Sequence, residues 1–107
     1  MTVKYTLWRI KEGKRQVWED WCREIMGKHQ EEGVLSLTEE DLVRERCMVF
    51  GEGNDSYVLY EHQSLEGKKK KPFNSNRELN LKHNRIFHEC LVRVNGETTL
   101  GYDLRVE

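Results

Sequence analysis

Residues 56–62 place large apolar groups on both sides of one extended segment: Val58, Tyr60 and His62 share one face, and Tyr57, Leu59 and Glu61 the other. Residues 3–10 repeat the pattern, with Val3, Tyr5 and Leu7 against Thr6, Trp8 and Ile10. So do residues 43–50, with Val43, Cys47 and Val49 against Met48 and Phe50. Strands that are apolar on both sides need both faces of their sheet covered. No other feature of the chain restricts its architecture as much.

The material for that cover is limited. Residues 14–32 carry Val17, Trp18, Trp21, Cys22, Ile25, Met26 and His29 at three- and four-residue steps, with Glu19, Arg23, Lys28 and Glu31 opposite, which predicts an amphipathic helix. Gly33 reads as its C-cap or a kink. Residues 34–41 resemble capping boxes, through Ser36 with Glu39 and Thr38 with Asp41, and suggest one short further helical turn. The Gly/Asn/Asp-rich residues 51–55 join two strands into a hairpin. Residues 64–74 form a loop containing Lys68, Lys69, Lys70 and Lys71, read as a solvated run. A second long helix is expected over residues 75–92, on the stripe Leu79, His83, Ile86, Phe87, Cys90 and Leu91. After Asn95-Gly96, residues 98–106 read as a last strand with Leu100, Tyr102, Leu104 and Val106 on one face.

The order strand, helix, strand, strand, helix, strand is the split βαβ pattern of the ferredoxin-like α+β fold, a two-layer βαββαβ sandwich. Two helices shield one face of a four-stranded sheet. A second copy of the chain, packed sheet face to sheet face about a two-fold axis, is the simplest cover for the other, so a homodimer is expected. At 107 residues the chain is one domain, residues 1–107. It has no apolar run of the roughly 20 residues that span a bilayer and no signal-peptide apolar region. A net charge of -1 gives no overall attraction to nucleic acid or anionic membrane, and a cytoplasmic location is expected. Cys22, Cys47 and Cys90 form no CxxC pair and are read as reduced apolar packers, with neither a disulfide nor a zinc site expected.

Residues 7–14 at the first strand–helix junction, Trp18-Glu19-Asp20-Trp21, the helical residues 83–91 and the terminal residues 100–104 resemble the dimeric α+β barrel superfamily of small ferredoxin-like proteins. Within it, the chain is most similar to an uncharacterised bacterial family. The resemblance implies a homodimeric barrel. Relatives in the superfamily include quinol-type monooxygenases and haem-degrading enzymes, whose catalytic residues do not transfer here motif by motif.

The candidate site residues follow from face assignments. His83 lies on the helix stripe facing the sheet, as either a buried neutral histidine bonded to a carbonyl or Tyr hydroxyl, or the group that transfers a proton. Tyr60 and His62 share a face of the third strand, and Trp21 faces the core. Arg9 could anchor a carboxylate, or simply make a surface ion pair. His62 and His83 with a carboxylate such as Glu61 lack diagnostic metal-ligand spacing, so no metal is expected. The lysine run raises RNA binding, but residues 55–60 lack the basic residue and glycines of an RNA-stacking strand, and nucleic acid is disfavoured as a partner. The function expected is binding or turnover of a small, partly aromatic or acidic metabolite, with no tightly held cofactor. The alternative is an interaction or assembly module with no cavity.

Overall fold

The computed structural model describes residues 1–96 and 99–106. Its elements are β1 (Thr2–Ile10), α1 (Arg15–Lys28), α2 (Gln30–Glu39), β2 (Leu42–Glu52), β3 (Asp55–Ser64), α3 (Glu78–Cys90) and β4 (Leu91–Arg93). The four strands form one antiparallel sheet in the order β2-β3-β1-β4, compatible with the ferredoxin-like arrangement. β3 lies in the middle because it is the one strand with long ladders on both sides, to β1 over Thr2–Arg9 and to the whole of β2.

The hairpin register follows from its turn. Glu52 pairs with Asp55, leaving the two-residue loop Gly53-Asn54. Gly53 has a φ of 55°, the positive value that a primed hairpin turn needs at its first central position. Gly51 is required for a harder reason: at φ 91°, a Cβ would stand 1.9 Å from the Asp55 carbonyl oxygen.

One face of the sheet carries the core. Ile10, Val58 and Tyr60 pack under Trp18 and Trp21 of α1 and Leu79 and Cys90 of α3, joined by Leu91. Trp18 is fully buried. Val17 and Met26 lie on the flanks of α1 and are exposed, so the working stripe is narrower than the sequence pattern suggests. On the opposite face, the register aligns Tyr5 with Glu61, Leu7 with Leu59, Met48 with Leu59, and Phe50 with Tyr57. Among the described residues no helix covers this side: α1 and α3 pack against the face of Trp8, Val58 and Tyr60. Phe50 and Tyr57 stack there at 5.6 Å between ring centres.

Three boundaries differ from expectation. The helix predicted over 14–32 breaks at His29, whose φ of -121° leaves helical geometry, and a separate α2 absorbs most of the ambiguous 34–41 stretch. Gly33 is inside α2 and caps nothing. Asp41, at φ 60°, then turns the chain into β2, a conformation that Asp tolerates better than most residues. The helix predicted to begin at 75 starts at Glu78 and ends at Cys90, and the fourth strand is Leu91–Arg93. The strand expected over 98–106 is absent: Thr98 lies outside the described residues, and residues 99–106 join no ladder among the described strands.

Candidate functional site

Between the helices and the covered face of the sheet lies a cavity of about 360 Å³. β1 contributes Thr6 and Trp8, β3 contributes Tyr60 and His62, α1 contributes Trp21 and Ile25, and α3 contributes Leu79, Asn80, His83 and Phe87. Period-two alternation brings Thr6 opposite Tyr60 and Trp8 opposite Val58, so both strands present this face to the same space. The i, i+4 spacing of Leu79, His83 and Phe87 makes one ridge of α3 its roof. Trp8 and Phe87 meet edge to face at 4.5 Å, and the rings of Tyr60 and Phe87 lie 5.8 Å apart, forming an aromatic wall.

His83 has one nitrogen committed. The Trp21 indole Nε1–H donates to His83 Nδ1 at 2.8 Å. An indole nitrogen only donates, so Nδ1 is the unprotonated nitrogen and Nε2 carries the hydrogen. Burial lowers the His83 pKa from 6.5, against weaker upward pulls from Glu45 and Glu40, so the ring is neutral at pH 7. His83 is thereby a fixed hydrogen-bond donor beside the cavity.

His62 is oriented differently. Its Nε2 lies 3.0 Å from Glu45 Oε1, across the β2–β3 pair in which Glu45 is aligned with His62. With Nε2–H donated to the carboxylate, Nδ1 holds the free lone pair. The imidazole stacks on Tyr60 at 5.6 Å. Burial raises the Tyr60 pKa well above 10, so its hydroxyl stays protonated.

The remaining wall is polar. Ser36 Oγ lies 3.1 Å from Glu40 Oε2 and 2.9 Å from Asn80 Oδ1, and can donate to one of the two. Asn80 donates to the Asn74 carbonyl at 3.1 Å. Lys70 Nζ reaches Glu40 at 2.9 Å, Lys71 pairs with Asp41 at 3.1 Å, and the Lys71 N–H donates to the Glu40 carbonyl at 2.9 Å. The lysine run read as solvated is therefore tied to the end of α2 at two of its four residues, and Lys70 and Phe73 line the cavity.

Of the sequence candidates, Trp21, Tyr60, His62 and His83 come together on this cavity. Arg9 does not: it aligns with Tyr57 on the opposite face and is exposed. Glu61, considered as a metal partner, is on that opposite face too, held by Arg46 at 3.0 and 3.1 Å, by the Tyr5 hydroxyl at 2.7 Å and by Gln63 at 2.7 Å. These bonds lower its pKa to about 2, Arg46 contributing most. Among the described residues, no group of three or more His, Cys, Asp and Glu side chains is placed to hold a metal, and no helix is long and apolar enough to cross a membrane. The sequence reading missed Glu45, Glu40, Ser36, Asn80 and Lys70.

A family model described as a family of unknown function, DUF6176, matches residues 1–106, and the chain belongs to that family. No curated protein and no solved structure matches it.

Proposed function

We propose that this member of DUF6176 is a cytoplasmic homodimer that binds a small, flat metabolite and acts on it by proton transfer, without a tightly held cofactor. The observation that carries the reading is the pairing, in one cavity of about 360 Å³, of a neutral histidine locked as a donor with a second histidine oriented by a carboxylate. That volume suits a ring-sized ligand. The aromatic wall favours a planar body, and the Ser36, Asn80 and Lys70 side favours oxygen substituents.

The roles divide by tautomer. His62 Nδ1 accepts a proton from the ligand, and Glu45 stabilises the imidazolium that results. His83 Nε2–H donates to the ligand oxygen on which the negative charge collects. Proton abstraction suits His62 better than His83, because the lone pair of His83 Nδ1 already accepts from Trp21. The rival reading, a module with no cavity, is weakened by the open volume beside His83. The homodimer reading is supported by the uncovered apolar face of Tyr5, Leu7, Met48, Phe50, Tyr57 and Leu59.

The test is a thermal-shift and calorimetric screen of aromatic carboxylates, phenols and quinols, with flavins and haem alongside. Phenols or aromatic acids are expected to raise Tm. His83→Ala is expected to weaken binding about tenfold, the effect of one lost hydrogen bond, with circular dichroism unchanged. His62→Gln should retain binding and lose turnover. If no compound shifts Tm, or both variants bind as the wild type does, the reading fails.

A further inference from the structure

We infer that residues 99–106 are an intermolecular β-strand, laid by each chain along the outer edge of β2 in a second copy. The segment has a strand's pattern without a strand's partner. Leu100, Tyr102, Leu104 and Val106 recur at period two and are 76%, 82%, 85% and 102% exposed. Asp103 and Arg105, two residues apart on the other side, pair at 2.9 Å, as an extended backbone allows. Four large apolar side chains in a row facing water make a surface that a stable monomer rarely keeps. The radius of gyration, 15.2 Å, also exceeds the roughly 13 Å of a compact chain of this length.

The chain's own sheet does not take the segment up. β4 pairs antiparallel with β1 as Trp8 with Arg93, Arg9 with Val92 and Ile10 with Leu91, and the Val94 N–H reaches the Leu7 carbonyl at 3.0 Å. Continued in that register, residue 99 would meet Thr2, the first residue of β1, and residues 100–106 would overrun the strand. The backbone hydrogen-bonding groups of the segment are thus left free to pair with a strand of another copy.

β2 is that strand. It is the outermost strand opposite β4, and among the described residues it is paired on one side only along Leu42–Glu52. An open edge of that length is a template for strand addition, and eleven residues accommodate the eight of the tail. Val43 and Phe50 are exposed along it. When two such sheets face one another across a two-fold axis parallel to the strands, the β2 edge of one lies over the β4 edge of the other, where the tail departs. Each copy then gives one strand and receives one, so the assembly closes as a dimer. The inference rests on the homodimer in the proposed function and is independent of the ligand.

The experiment combines light scattering with hydrogen exchange on the full chain and on a variant carrying Leu100→Ser, Tyr102→Ser, Leu104→Ser and Val106→Ser together. Slow exchange is expected at residues 100–106 and at those β2 amides that point away from β3 in the wild type. Both should be lost in the variant, with unchanged circular dichroism and a dimer dissociation constant raised roughly a hundredfold. A dimer whose tail exchanges freely, or a variant that dimerises as tightly as the wild type, overturns the exchange of strands while leaving face-to-face pairing intact. A protected tail in a monomer, or protection that excludes those β2 amides, overturns it as well. A wild type that is monomeric with a free tail overturns the strand and the dimer together.

Discussion

At the residue scale, environment decides what each titratable group contributes. Trp18 Nε1 is buried with no hydrogen bond of ordinary geometry among the described residues. The Cys47 pKa is lowered by the neighbouring Cys22 thiol first, and then by Trp18 and Tyr60, against its own burial. Cys22, as the donor, is pushed up. Two groups stand out among those that make the fold sensitive to acid, beside Glu24 and Glu39, which Lys82 and Arg77 hold below the usual carboxylate range. The folded pKa of His83 lies below 6.5, so the unfolded chain takes up a proton first, and stability falls as the pH drops below 6.5 and through the folded value. Glu61 is depressed from 4.5 to about 2, so its contribution is complete above 4.5 and is lost as the pH falls toward 2. Thermal unfolding followed from pH 8 to pH 2 should show both limbs, and Glu61→Gln should shrink the lower one. A Glu61→Gln profile parallel to the wild type below pH 4.5 would show that the Arg46 contact contributes nothing. Trp21, Tyr60, His62 and His83 were legible in the sequence because helix and strand periods assign faces well. Glu45 was not, because its role depends on which residue of another strand it meets.

That dependence belongs to the element scale. Had residues 51–55 been taken as a two-residue loop at Gly53-Asn54, counting back from Glu52 and Asp55 would have aligned Glu45 with His62 and Arg46 with Glu61. The longer turn hid both pairs. Leu91 fits the helical stripe as well as it fits a strand, so periodicity alone extends the second helix over it; Cys90 ends the helix, and Leu91 goes on to pair with Ile10. Two glycines separate backbone need from backbone freedom. Gly51→Ala should cost about 1–3 kcal/mol, since a residue with a Cβ must adopt a positive φ and meet the Asp55 carbonyl. Gly27→Ala, in α1 with open space around the position, should add about 0.5–1 kcal/mol. Chemical denaturation of both variants measures the two values; equal effects would contradict the backbone assignment at Gly51.

On the scale of the whole molecule, the mismatch between a sheet that is apolar on both faces and helices on one was visible from the alternation alone. A seat for the C-terminal segment on a second copy, as inferred above, was not, because one chain's register says nothing of pairing between chains. Leu59 sits mid-face, aligned with Leu7 and Met48 away from the helices. Leu59→Lys is expected to leave the circular dichroism intact and convert a dimer to a monomer by light scattering; a dimer of wild-type affinity would remove this face from the interface. The cavity's polar wall has a consequence of another kind. Lys70 and Phe73 belong to a loop fastened to the end of α2 by Lys70–Glu40, Lys71–Asp41 and the two-pronged Arg77–Glu39 contact at 2.7 and 3.1 Å. Ion pairs with one partner open to water weaken once the screening length shrinks to about 10 Å or less, Lys71–Asp41 more than Lys70 on the buried Glu40. Dissolved electrolyte therefore acts as a latch release: ligand entry and exit should quicken in brine while the aromatic lining stays in place.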